Sequence, residues 1–191
     1  MITLSGKSVF GGVAIGKIAF YKRQEKQVRR YHVEDTEAEA ARFEDAQETA
    51  IAQLGELYDK AMEDVGEANA AIFEVHQMML DDLDYIESIT NMIEGQQVNA
   101  EYAVATTGDT FSEMFAAMDD DYMKARSADI HDISDRLVSI LSGRKQKSAK
   151  DFATGANKII CTEDFLPSEI IQFCENNAQG FLTAFGSSDS H

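Results

Sequence analysis

The sequence predicts a two-lobed molecule, an α/β lobe interrupted by an all-α helical-hairpin or bundle lobe, and three observations carry that reading. Residues 33–144 contain no proline and only five glycines, which suits long helices. Both ends of the chain instead show short β-branched and aromatic runs punctuated by glycine and serine. Charge divides along the same line. Residues 33–144 hold 27 Asp/Glu against 6 Lys/Arg, a net −21, which leaves 7 against 11 elsewhere, +4, and −17 in total.

Taken in order, Lys7 to Tyr21, "KSVFGGVAIGKIAFY", reads as short strands with a tight turn at its glycines. The basic run "KRQEKQVRR" follows, in a linker over 22–32. From Glu34, residues Phe43, Ala46, Ala50, Leu54, Leu57, Ala61 and Val65 recur at helical steps, and Gly66 is a stop. A second helix runs from about Glu67 through Ile72, Phe73, His76, Met79 and Leu80. It is broken or bent near Asp81-Asp82, then continues through Leu83, Ile86, Ile89 and Ile93 to Gly95. A third covers about Ala100–Met118 and a fourth Asp120–Leu141, whose aspartate-rich start suits the positive end of the helix dipole. Four helices with short connections make a bundle. After a second basic linker, 145–151, come a strand at Lys158–Cys161, a helix opened by Pro167 and a strand at Gly180–Ala184. Residues 1–21 and 152–191 together form the α/β lobe, and 33–144 the helical one.

Composition excludes several classes. No apolar run reaches the roughly 20 residues needed to span a bilayer, and the first residues lack the layout of a signal peptide. Cys161 and Cys174 are too few for a disulfide framework. A cytoplasmic protein is expected, with no membrane partner. The acidic middle segment would repel nucleic acid and attract a basic protein; equally, it could be a solvated helical surface.

No Walker loop is present, and "GGVAIG" lacks the following helix of a dinucleotide fingerprint. His76 near Asp81, Asp82 and Asp84, or His131 near Asp129 and Asp132, supplies metal-ligand types without a helix-matched pair, so no metal is expected. His32 reads as a surface linker residue. His191 closes the chain behind an apolar strand and "GSSDS". On residue chemistry it is either an incidental residue or a phosphorus nucleophile, since imidazole titrates near neutral pH. Met78, Met79 and Met123 are either helix core or an adaptable apolar patch.

In order along the chain, "GGVAIGK", "AAIFEVHQMMLDD" (70–82), "DDDYMKARSADIHDISDRL" (119–137) and "DFLPSE" resemble the N-terminal half of enzyme I of the bacterial phosphoenolpyruvate:sugar phosphotransferase system. The match runs over essentially the whole chain. The resemblance implies an α/β swivelling phosphohistidine domain interrupted by a helical domain that docks the carrier protein HPr. It implies an enzyme, a phosphotransferase, in which His191 takes the phosphoryl group from phosphoenolpyruvate and passes it to a histidine of HPr to energise sugar uptake. The implied docking face comprises Glu67, Ala71, Met78, Met79, Asp84, Tyr85, Phe115, Tyr122, Met123 and Arg126, while Asp129 and Arg136 hold helices together. Magnesium and phosphoenolpyruvate would be bound by a barrel domain outside this chain, so the chain alone is expected to be inactive with phosphoenolpyruvate. It would be a monomer, and the full-length enzyme a homodimer. Here Gly186-Ser187-Ser188-Asp189-Ser190-His191 stands where the family has Gly-Gly-x-Thr/Asn-x-His, which puts a carboxylate two positions from the histidine. The alternatives are a non-catalytic helical interaction module and another phosphohistidine swivelling enzyme that uses phosphoenolpyruvate.

Overall fold

A computed structural model of the chain describes residues 3, 5–9, 11–22, 28–64, 66–143 and 155–184. His191, Val65 and the second basic linker lie outside the described residues. The elements run β1 (Lys17–Phe20), α1 (Thr36–Asp64), α2 (Glu67–Leu80), α3 (Leu83–Gln96), α4 (Ala100–Ala116), α5 (Asp121–Leu141), β2 (Lys158–Thr162), α6 (Pro167–Glu175) and β3 (Gly180–Thr183). The molecule is mostly helical with one small parallel sheet.

Local chemistry sets the helix ends. Asp35 Oδ1 accepts from Ala38 N at 2.9 Å at the start of α1. Gly66 stops α1, its N–H reaching Ala61 O, and at φ 84° it occupies backbone space that costs other residues more. Of the break or bend expected at Asp81-Asp82, the structure has the break. Asp82 turns extended and its carboxylate accepts from Tyr85 N at 3.1 Å, so a new helix begins and the bundle has five helices rather than four. The break also corrects the expectation for Leu83. As the first residue of α3 it falls off the buried Tyr85–Ile89–Ile93 stripe and lies exposed. Asp120 caps α5 through the N–H groups of Tyr122 and Met123.

Buried apolar side chains fall into two clusters. The larger one lies between α1 and α5, built on Phe43, Leu54, Phe73, Ile89, Ile93, Val104, Ile133 and Leu137. The smaller unites Ile160, Phe165 and Phe173 with Ala19, Tyr21 and Phe181, whose rings meet edge to face. Its sheet has the order β1-β2-β3, all parallel, in the registers Lys17↔Lys158 to Phe20↔Cys161 and Ile159↔Gly180 to Thr162↔Thr183. The expected pair of short strands with a tight turn near the start of the chain is absent among the described residues. Only Lys17–Phe20 is a strand, because its partner comes from the far end of the sequence.

Polar contacts tie the two clusters. Ser168 Oγ, in the first turn of α6, donates to Asp132 Oδ1 of α5 at 3.0 Å, and both residues are buried. Lys60 pairs with Glu175 at 3.5 Å, and Ile171 packs on the helical core. The end of the first basic linker is held rather than loose. Val33 N–H donates to Gln97 O, His32 bridges Val98, and the Arg30 guanidinium lies over the Tyr102 ring.

Candidate functional site: an apolar helical face edged with acid

The ten residues expected on the docking face come from α2, α3, the end of α4 and the start of α5, and a buried polar link joins two of these, α2 and α5. His76 of α2 is fully buried, and its Nε2 stands 3.3 Å from Asp129 Oδ1 of α5. This is an ion-pair distance without the alignment of a hydrogen bond, and neither ring nitrogen makes an aligned one. The other carboxylate oxygen of Asp129 accepts from Arg126 Nη1 at 2.9 Å. Arg126 Nη2 donates in turn to the Tyr122 hydroxyl at 2.6 Å, with the guanidinium 4.5 Å from that ring's centre. Burial alone would raise the Asp129 carboxyl; the contacts to His76 and then to Arg126 outweigh it and hold the group below the usual carboxylate range. His76 thus faces a carboxylate of another helix rather than the acidic residues at the α2–α3 break. Asp129 joins two helices, the role expected of it.

This link sets the second half of α2 beside the first half of α5. Of the ten, Met78 is 72% exposed and Tyr122 63%, and Glu67 and Asp84 are exposed. Ala71, Phe115 and Met123 are half-buried, and Met79 is half-buried against the helical core. Two expected members take other roles. Tyr85 is only 2% exposed; its hydroxyl pairs with Ser134 Oγ at 2.8 Å and its ring stands edge-on to Phe111, so it supports the face from beneath. Burial pushes its phenol far up, with the Ser134 contact opposing. Arg126, 7% exposed, is held by Asp129 and Tyr122 rather than presented as a free anchor.

Leu83 and Met114 are exposed apolar residues of the same helices that sequence reasoning left off the face. Leu83 stands four residues after Met79 and Met114 four before Met118, spacings that could have flagged both. Met78, Leu83, Met114 and Tyr122 are exposed apolar side chains on helices that also carry exposed carboxylates, a chemistry suited to a protein carrying apolar and basic groups. Among the described residues no three His, Cys, Asp or Glu side chains converge as a metal site, and no helix is long and apolar enough to cross a membrane.

Residues 5–126 match the family described as PEP-utilising enzyme, N-terminal. A phosphoenolpyruvate-protein phosphotransferase of Bacillus sp. (strain S) is 35% identical over 189 residues, covering 99% of this chain and 32% of that protein. The one from Bacillus subtilis (strain 168) is 31% identical over 191 residues, covering 100% and 33%. The chain therefore spans about a third of the length of the curated relatives it matches. A solution NMR structure of Enzyme I superposes with a TM-score of 0.71 at 28% identity, over 92% of this chain and 71% of that one. The N-terminal domain of Enzyme 1 – Nitrogen shares the fold at a TM-score of 0.66, 22% identity, and 96% and 74% coverage.

Proposed function

The chain belongs to the N-terminal family of PEP-utilising enzymes, and from that premise we propose that it serves as the carrier-docking and phosphohistidine part of a phosphoenolpyruvate-protein phosphotransferase. The helices of residues 33–144 are the HPr-binding domain, and residues 1–21 with 152–191 are the swivelling domain that carries His191. Phosphoenolpyruvate gives its phosphoryl group to the His191 imidazole, forming a P–N bond as the enol P–O bond breaks and the released enolate takes up a proton to become pyruvate. A histidine of HPr then takes the phosphoryl group and frees the imidazole. The described residues supply no donor cluster suited to magnesium, so no step here runs through the metal. The metal and phosphoenolpyruvate belong to the part of the relatives' length that this chain does not span. The setting is the cytoplasm, and the full-length enzyme is a homodimer.

The observation that carries the proposal is the exposed apolar set Met78, Leu83, Met114 and Tyr122, on helices with carboxylates at their edge. A surface of this kind fits a small basic-edged partner that must leave after each transfer. Such contacts sit at the small end of interface sizes and correspond to micromolar affinity, about −8 kcal/mol. The test is titration of isotope-labelled HPr with the chain at low and high salt. Binding in the micromolar range that slows and weakens as salt is added is expected. A folded chain that leaves HPr unbound at hundreds of micromolar would refute the docking assignment. Radiolabelled phosphoenolpyruvate with magnesium should leave the chain alone unlabelled, and stoichiometric acid-labile labelling would contradict the division of labour.

A further inference from the structure

Tyr122 is 63% exposed, yet its side chain is held from behind. The Arg126 guanidinium lies 4.5 Å from the centre of its ring and donates through Nη2 to its hydroxyl at 2.6 Å. Arg126 is long and rich in rotamers, and fixing it costs conformational entropy. Its other terminal nitrogen, Nη1, is anchored on Asp129 Oδ2 at 2.9 Å. Asp129 is 2% exposed, and its second oxygen meets a residue of another helix, His76, whose Nε2 stands 3.3 Å from Oδ1. His76 is fixed from its own side as well. It is fully buried, and Phe73, one turn earlier on α2, stands edge-on to the imidazole with ring centres 6.1 Å apart. One series of contacts therefore runs from the interior of α2 through α5 to an exposed ring. Its inner end carries a penalty, since neither His76 nitrogen makes an aligned hydrogen bond and a buried apolar side chain would leave no such atoms unmet.

We propose that His76 is a positioning residue for HPr docking, one that fixes the Tyr122 ring through Asp129 and Arg126 before the partner arrives. The inference rests on the docking reading above and adds to it a residue outside the expected face. What histidine supplies here, and an apolar residue lacks, is an N–H directed at Asp129 Oδ1. Only a protonated Nε2 does this, because a bare one would set two lone-pair atoms against each other in a buried site. Without the donor, one carboxylate oxygen of Asp129 is held by Arg126 and the other is buried and unmet. The terminal torsion of an aspartate is broad, so the carboxylate then turns and carries its acceptor away from Arg126 Nη1. That freedom passes outward to the Tyr122 ring. An exposed side chain that already stands in its bound pose loses less conformational freedom on association, and the difference appears as affinity. His76 itself touches no partner, being wholly buried beneath the surface it orders.

Long-range proton–nitrogen NMR on the unmodified chain reads which His76 nitrogen carries hydrogen. Nε2 should be protonated, and a bare Nε2 overturns the proposal without any variant. HPr titration then compares His76→Leu with His76→Gln at a temperature where circular dichroism shows each folded. Leucine should weaken HPr about 3- to 30-fold, while glutamine, whose amide donates as the imidazole does, stays within about twofold of the parent. A histidine that merely stabilises the bundle would lower the melting temperature of the leucine variant and leave the affinity of the folded chain unchanged, which overturns the proposal. Equal losses in the two variants overturn it as well. Tyr122→Phe removes the hydroxyl that accepts from Arg126 and cuts the series at its outer end. In that background His76→Leu should change affinity by less than about twofold, and a fully additive loss sinks the route through Tyr122. Should the leucine variant fail to fold, the nitrogen measurement decides. An unmodified chain that leaves HPr unbound refutes the docking reading itself, whereas equal binding with and without His76 refutes only the positioning role.

Discussion

Gly108→Ala should destabilise the protein strongly, although a helix normally gains by that change. Gly108 lies in α4 where it meets α5, the most extensive helix pair. A Cβ there would sit 2.3 Å from Ser134 Oγ and 2.7 Å from Ser134 Cβ, distances at which something must move. Ser134 has little freedom, since its hydroxyl donates to Ile130 O at 2.7 Å and pairs with the buried Tyr85 hydroxyl at 2.8 Å. Overpacking costs about 1–3 kcal/mol. Loss of the Tyr85 contact strands a buried hydroxyl at about 1–3 kcal/mol. Helix propensity returns about 1 kcal/mol. The net is about 1–5 kcal/mol, centred near 3, which at roughly 2–4 °C per kcal/mol lowers the melting temperature by about 6–12 °C. Urea and thermal unfolding followed by circular dichroism measure it. In a Ser134→Gly background both clashing atoms are gone, so the same alanine should cost at least ~1 kcal/mol less, a coupling expected only of touching residues. An alanine variant as stable as the parent, or strict additivity, would refute the close α4–α5 approach.

Tyr85→Phe should lower stability by about 1 kcal/mol through loss of the Ser134 contact, yet leave HPr affinity unchanged, as paired unfolding and titration experiments would show. Met78→Ala and Tyr122→Ala should do the reverse, weakening HPr about 5- to 100-fold at near-constant melting temperature. Asp129 contributes to acid stability. Its folded value is depressed, so its contribution is complete above the unfolded carboxyl value of about 3.9. That contribution is lost as pH falls through the lower folded value. Asp129→Asn should therefore flatten the stability profile below about pH 4, and at pH 7 cost about 1–3 kcal/mol as Arg126 loses its partner; unfolding midpoints across pH 2–7 measure both.

Helix limits were legible because capping is local. Asp35, Asp82 and Asp120 each reach backbone N–H groups two or three residues away, so the sequence contains the whole interaction. Even so, Asp81-Asp82 read as either a break or a bend. A carboxylate at that place also suits a continuous exposed helix, and only its extended backbone separates the two. Tyr85 was misplaced for a different reason. The resemblance assigned it to a surface, whereas the four-residue step to Ile89 and Ile93 puts it on the buried stripe. Periodicity was the better guide there. The Arg126–Asp129 pair lies within one helical turn and is open to sequence reasoning, but the approach of His76 to Asp129 depends on how α2 crosses α5. No local pattern contains that. The same holds for the sheet, where Lys17 finds Lys158 across most of the chain.

The two exposed apolar surfaces differ in a way that the strand and helix sequences already encode. Met78 and Tyr122 sit on helices whose other positions are acidic or buried, and the face mixes apolar groups with carboxylates. Such a face stays soluble when bare and suits a partner that must leave easily, as the proposed carrier docking requires. The sheet strands carry no such mixture. Beyond the two lysines that open β1 and β2, they are apolar or uncharged on both faces, a pattern of strands buried from both sides. A surface of that composition has no charge to keep it soluble or to steer a transient encounter. Its physics is that of a core cut in half, which favours standing coverage over exchange. The two surfaces thus differ in composition, and the elements that carry them are tied by the buried Ser168–Asp132 contact between α6 and α5.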